Sequence, residues 1–142
     1  EISLGLVGSE MCIRDRTGLA KAIAFGVVDN IGPLGCLVAI SGLYLICSIL
    51  TEMISNNAVA AVMGPLAYEM ALQFDANPIP FILAVMFGAS ASFSTPIGYQ
   101  TNTYVYNAGG YKFKDFVKVG LPLNLLLWVI FTCAIGWLYP LK

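Results

Sequence analysis

The stretch Leu50-Thr51-Glu52-Met53-Ile54-Ser55-Asn56-Asn57-Ala58-Val59 decides the fold. Before it, Leu34 to Ile54 is rich in Leu, Ile and Val; after it, apolar character resumes from Ala58 and runs to Phe74. Asn and Ser side chains compete for backbone hydrogen bonds and favour caps and turns over helix interiors. Ser55-Asn56-Asn57 therefore marks the end of one helix and the start of another. Two helices joined by a tight polar tip make a hairpin over 34–74, and Phe74-Asp75-Ala76-Asn77-Pro78 is the first plausible aqueous loop beyond it. The first arm, about 21 residues at about 1.5 Å each, is long enough to cross a hydrocarbon core of about 30 Å, although length alone does not require a crossing.

Toward the C-terminus, Ile79 to Ser94 is apolar with a small-residue face from Gly88 to Ser92, suited to close helix packing. It ends at Thr95-Pro96-Ile97-Gly98-Tyr99-Gln100-Thr101-Asn102, where Pro96 removes a backbone donor and Gly98 permits unusual dihedrals. Apolar character returns at Tyr104, so 79–107 reads as a broken helix. Asn107 to Asp115 reads as a loop, and 116–139 as a terminal membrane helix with Trp137 and Tyr139 at interfacial depth. Toward the N-terminus, 17–31 lacks a clean polar face and reads as an interfacial helix. The opening differs in kind. Leu6 to Asp15, LVGSEMCIRD, is one translation frame of a transposase-type sequencing-library adapter. Glu1 to Arg16 is accordingly set aside as adapter-derived, with the native sequence expected to start at Thr17 as the C-terminal piece of a longer protein.

Composition agrees with a lipid environment. Of 142 residues 58% are hydrophobic and 11% charged, without His, against about 25% charged in soluble domains. No charge falls between Asp29 and Glu52, between Asp75 and Lys112, or between Lys118 and Lys142. From Thr17 onward five Lys face five acids, so the net charge is zero. An ordinary soluble enzyme, a nucleic-acid binder with a basic face and a disulfide-stapled secreted module are thereby disfavoured. Cys36, Cys47 and Cys133, without Cys-x-x-Cys spacing, read as buried apolar thiols. Catalytic residues are not expected, since no His or paired acid accompanies a candidate Ser. Lys112, Lys114 and Lys118 at one end of the last helix, against no Lys or Arg in the Asp75 loop, place that end in the cytoplasm.

Non-helical backbone at membrane depth persists only where protein buries it or it lines a water-filled cavity. Two polar breaks, 55–57 and 95–102, thus point to one shared site. The helix start near Asn57 suits an anion. The helix end near Ile54 and the Ile97 and Gly98 carbonyls suit Na+, and the Thr51 hydroxyl lies one turn before Ser55. The residues alone also allow an ordinary surface turn at Ser55 to Asn57 and a simple kink at Thr95-Pro96. Glu52 could orient the tip by hydrogen bonding or sit among headgroups. Tyr99 could be a ligand contact or part of an aromatic belt, and the belt is favoured for Tyr104, Tyr106 and Tyr111.

Thr51-Glu52-Met53-Ile54-Ser55-Asn56-Asn57-Ala58, then Ser92-Phe93-Ser94-Thr95-Pro96-Ile97-Gly98-Tyr99-Gln100-Thr101-Asn102, then Lys118-Val119-Gly120-Leu121-Pro122, resembles the C-terminal half of the divalent anion/sodium symporter family, the sodium-coupled sulfate and dicarboxylate carriers. The resemblance runs from Thr17 to about Pro140. It implies an all-α membrane protein, one half of an inverted-repeat transporter with a re-entrant hairpin and a broken transmembrane helix. It also implies an elevator-like homodimer in a bacterial inner membrane, completed by an N-terminal repeat. By the same resemblance Ser55, Asn56 and Asn57 contact the anion, with Tyr99, Gln100, Thr101 and Asn102 beside them. Na+, the coupling ion, lies at Thr51, Ile54, Asn56 and Gly98, and no organic cofactor is implied. Asn57 stands where Thr is usual and Gln100 where dicarboxylate carriers commonly have Pro, which leans the substrate toward sulfate or another small inorganic anion. A cation or oxyanion antiporter with Glu52 carrying a proton, and a non-transporting membrane subunit, are the rival expectations.

Overall fold

Gly35, with a φ of 98°, leads into α1 (Cys36–Thr51), whose apolar side chains leave no polar face. The computed structural model describes residues 35–139, so the readings of 1–16 and 17–31 lie outside the described residues. At its far end α1 unwinds through a tight turn in which the Met53 and Ile54 amides both donate to the Leu50 carbonyl, each at 3.0 Å. Ser55 then caps α2 (Asn56–Gln73), its hydroxyl accepting from the Ala58 amide at 3.4 Å. The cap, with extended backbone at Ser55, is what lets one helix stop and another begin within four residues.

α2 ends in a left-handed residue, Asp75 with φ of 49°, and the Ala76 amide reaches back to the Ala71 carbonyl at 3.0 Å. This is the usual way to satisfy terminal carbonyls and turn the chain sharply. Asn77 Oδ1 accepts from the Ile79 amide at 3.0 Å and Pro78 occupies the first helical position, so α3 (Pro78–Ser90) starts at once. After Ala91 to Tyr99 come α4 (Gln100–Gly109), closed by Gly110 in the left-handed region, and α5 (Phe113–Leu138), where the Asp115 carboxylate accepts the Lys112 amide at 2.9 Å. Among the described residues every regular element is a helix.

α3 is central, packed against both α1 and α2, while α5 lies along α1. Ile40, Leu43 and Cys47 of α1, Val59 and Met70 of α2 and Phe81 and Val85 of α3 are fully enclosed; Phe131 of α5 closes over Tyr44 with ring centroids 4.9 Å apart. Trp128 Nε1 donates to Ser41 Oγ at 2.8 Å, a second tie between α5 and α1. The outer faces are apolar too. Met86, Phe87, Val119, Leu126, Ile130 and Trp137 (86% exposed) face outward. α5, 26 residues and about 39 Å long, is the one helix among the described residues long and apolar enough to cross a membrane.

Within 34–74 the structure has helices α1 and α2, and within 79–107 helices α3 and α4, with bounds that differ from the sequence reading. α1 is 16 residues, about 24 Å, instead of the whole of 34–54. The break in 79–107 occupies 91–99 rather than 95–102, because helix α4 restarts at Gln100. The expected loop at 107–115 shrinks to Gly110–Lys112, since a left-handed glycine and the Asp115 cap turn the chain in three residues. The terminal helix consequently starts at Phe113, ahead of 116. Of the thiols, Cys47 is buried, Cys36 half-buried and Cys133 exposed on the outer face of α5. The expectation of three buried thiols fails at Cys133, since an apolar helix face that no described helix covers looks like a core face in sequence. Tyr106 of α4 and Tyr111 of the connecting turn both pack edge-on against Phe116 of α5, whereas Tyr104 projects outward.

Candidate functional site at two helix breaks

α1 and α3 end side by side, and three polar contacts lock their ends. Ser48 Oγ donates to the Ala91 carbonyl at 3.2 Å, Ser92 Oγ to the Thr51 carbonyl at 3.2 Å, and Thr51 Oγ1 approaches the Ala89 carbonyl at 2.8 Å. The last carbonyls of a helix have no partner within it, and here hydroxyls from the neighbouring helix end take that place. The two breaks, Glu52–Ser55 and Ala91–Tyr99, are thereby brought to one level.

Glu52 joins them. Its carboxylate accepts the Ser94 amide through Oε1 and the Thr95 amide through Oε2, both at 2.8 Å, and the Thr95 hydroxyl donates to the Glu52 carbonyl at 2.9 Å. Asn124, on α5, donates to Glu52 Oε1 and to Ser94 Oγ, both at 2.9 Å. Of the two roles weighed for Glu52, the structure gives it the hydrogen-bonding one, directed at the second break rather than at the Ser55 tip. The break is further held by Asn102 Nδ2 on the Ser92 carbonyl (2.9 Å) and Thr103 Oγ1 on the Pro96 carbonyl (2.6 Å).

Thr51 Oγ1 stands 2.7 Å from Asn56 Oδ1 as well as 2.8 Å from the Ala89 carbonyl oxygen. A hydroxyl donates one hydrogen and accepts through its lone pairs, so Thr51 donates to the Ala89 carbonyl and meets the Asn56 amide, whose O and N ends are interchangeable in this contact. Gly98 packs flush on the same helix end: a Cβ there would stand 2.6 Å from the Thr51 carbonyl oxygen and collide with Ser92 Oγ. Such a set of neutral oxygens at a helix C-terminus fits a hard monovalent cation. Thr51, Asn56 and Gly98 are thus brought together; Ile54 lies in the intervening turn with its side chain outward.

Ser55 and Asn57 are exposed at the first turn of α2, and Tyr99, Gln100 and Thr101 are exposed at the first turn of α4. Two helix N-termini, each with orphan N–H groups and partial positive charge, therefore begin within a few residues of the Thr51–Asn56 and Thr51–Gly98 contacts. Asn102 is turned inward, its amide nitrogen tied to the break. In the sequence Ser92, Ser94 and Thr95 stand out only as members of the second break and its motif, and Asn124 lies outside both. Asn124 had a usable signal, as an amide in the apolar run Val119 to Ile130.

Fold and site together define a helical protein with one helix, among the described residues, long and apolar enough to cross a membrane, organised around two helix breaks joined by hydrogen bonds. Residues 5–86 match the citrate transporter (CitMHS) family, and the chain belongs to that family. An uncharacterized transporter of Synechocystis sp. is 42% identical over 80% of this chain and 18% of its own length. The putative sulfur deprivation response regulator of Chlamydomonas reinhardtii is 40% identical over 87% of this chain and 21% of its own length. Sodium/sulfate cotransporter 1 of the same alga is 35% identical over 82% and 13%. These relatives agree with the resemblance to divalent anion/sodium symporters. The chain spans about a fifth of the length of the first curated relatives it matches.

Proposed function

We propose that this chain is the C-terminal repeat of a sodium-coupled symporter for a divalent anion, sulfate in preference to a dicarboxylate. The observation that carries the reading is the oxygen cluster of Thr51, Asn56 and Ala89 at a helix C-terminus, close to the start of α2 and the start of α4. Na+ would be held by the Thr51 hydroxyl, the Ile54 and Gly98 carbonyls and the Asn56 amide oxygen. The anion would sit at Ser55, Asn56 and Asn57, with Tyr99, Gln100, Thr101 and Asn102 on the α4 side. The relatives named as sodium/sulfate cotransporters support this pairing of ions.

With α1 at 16 residues, about 24 Å, the 34–74 hairpin is proposed as re-entrant, entering and leaving on one side. An N-terminal inverted repeat would complete the site, in an elevator-type homodimer of a bacterial inner membrane with the Lys112–Lys118 end cytoplasmic. The role is transport rather than catalysis. Radiolabelled sulfate, succinate and citrate uptake by the full-length carrier in proteoliposomes, with and without an inward Na+ gradient, tests this. Sulfate uptake that needs Na+ is the expected result, and uptake driven by a pH gradient alone would replace symport with antiport.

A further inference from the structure

We propose that Asn124 is a positioning residue that couples the terminal helix to the cation-binding turn, setting Na+ affinity through Glu52 without touching the ion. The inference rests on the sodium-coupled reading above.

Three observations carry it. First, the Asn124 amide nitrogen has two hydrogens and two acceptors, Glu52 Oε1 and Ser94 Oγ, each at 2.9 Å. The opposite amide orientation would set Oδ1 against a carboxylate oxygen, so the contacts fix which way the group points. Second, Asn124 Oδ1 is buried without a hydrogen-bond partner among the described residues. A Leu of similar volume would fill the space without that penalty, so packing gives no reason for the amide; its bond to Glu52 does. Third, Gly120 lies one turn earlier on the same face, and its missing side chain lets α5 rest directly on the Phe93 carbonyl and Ser94 Cα. α5 thus grips the segment Phe93–Ser94 twice, on either side of Pro122, where the helix lacks a backbone donor.

The grip reaches the ion site through short links. Asn124 holds the Glu52 carboxylate; that carboxylate holds the Ser94 and Thr95 amides; Thr95 Oγ1 returns to the Glu52 carbonyl, one residue past Thr51. A shift of α5 relative to α1 would pull on Glu52 and so displace the Thr51 hydroxyl and carbonyl.

The test uses the full-length carrier in detergent, reading thermal stability against Na+ concentration, and sulfate KM at saturating Na+ in proteoliposomes. Asn124→Leu is expected to lower the Na+-free melting temperature slightly, since Glu52 Oε1 and Ser94 Oγ each lose a donor, and to raise the Na+ concentration for half-maximal stabilisation about tenfold, with sulfate KM within about twofold. Asn124→Ala, read in parallel, is expected to give the same Na+ shift whatever its effect on packing. Glu52→Gln combined with Asn124→Leu is expected to be no worse than Glu52→Gln alone, because the amide acts through the carboxylate. A wild-type Na+ midpoint in the Asn124 variants, or fully additive effects with Glu52→Gln, would overturn the proposal while leaving symport standing. A wild-type carrier that Na+ does not stabilise would remove the sodium-coupled reading and this inference with it.

Discussion

Glu52 and Thr95, 43 residues apart, are joined by two hydrogen bonds in which Thr95 is the donor both times: its amide to Glu52 Oε2 at 2.8 Å, and its hydroxyl to the Glu52 carbonyl at 2.9 Å. The end of α1 and the start of the second break are therefore tied directly to each other.

Replacing Glu52 tests that tie. Glu52→Gln keeps the shape but offers one oxygen and two N–H donors where the Ser94 and Thr95 amides need two acceptors. Leaving a buried amide unpaired costs about 1–3 kcal/mol, so Na+-dependent sulfate uptake is expected to fall at least about tenfold. Uptake at the wild-type level would mean the carboxylate is dispensable to the breaks.

Thr51→Val removes the hydroxyl from the oxygen cluster while keeping the volume nearly constant. The half-saturating Na+ concentration is expected to rise about tenfold, equivalent to about 1.4 kcal/mol, with expression unchanged. An unaltered Na+ dependence would place the cation elsewhere.

Two glycines make a matched pair. A Cβ at Gly98 meets the Thr51 carbonyl oxygen at 2.6 Å, whereas one at Gly64 meets nothing within 4 Å. Gly98→Ala is expected to lose about 1–3 kcal/mol through overpacking and to abolish Na+ stabilisation. Gly64→Ala, inside α2, is expected to gain about 0.5–1 kcal/mol with transport intact; melting curves of both variants decide the point.

The thiols report the packing. Cys47 is fully buried between α1 and α3, and Cys133 is exposed on α5. A membrane-permeant maleimide is expected to label Cys133 in the native carrier and Cys47 only after denaturation, read by intact mass. Early labelling of Cys47 would show that α3 does not cover α1.

Which features were legible in the sequence follows from the range of the forces that set them. The helix end and restart at Ser55-Asn56-Asn57, the connection at Phe74 to Pro78 and the interruption around Pro96 are local events, governed by side chains within four residues of the backbone they serve, and the structure has an interruption in each neighbourhood. The apolar runs likewise announce helices and a lipid surroundings without knowledge of any partner. Exact bounds were less legible: α4 restarts at Gln100 rather than after Asn102, because Thr103 and Asn102 side chains bond back to Pro96, Thr95 and Ser92 and draw the first turn into helix.

The joining of the breaks lay beyond the reach of local pattern. Glu52 finds Ser94 at a separation of 42 residues and Asn124 at 72, and Thr51 meets Ala89 at 38. Such pairs exist because α1 and α3 end at the same level and α5 lies along α1, an alignment held by apolar packing that includes buried Phe81 and the Tyr44–Phe131 stack. A side chain's chemistry can be read from its letter, but the partner that gives it work is chosen by how the helices stack.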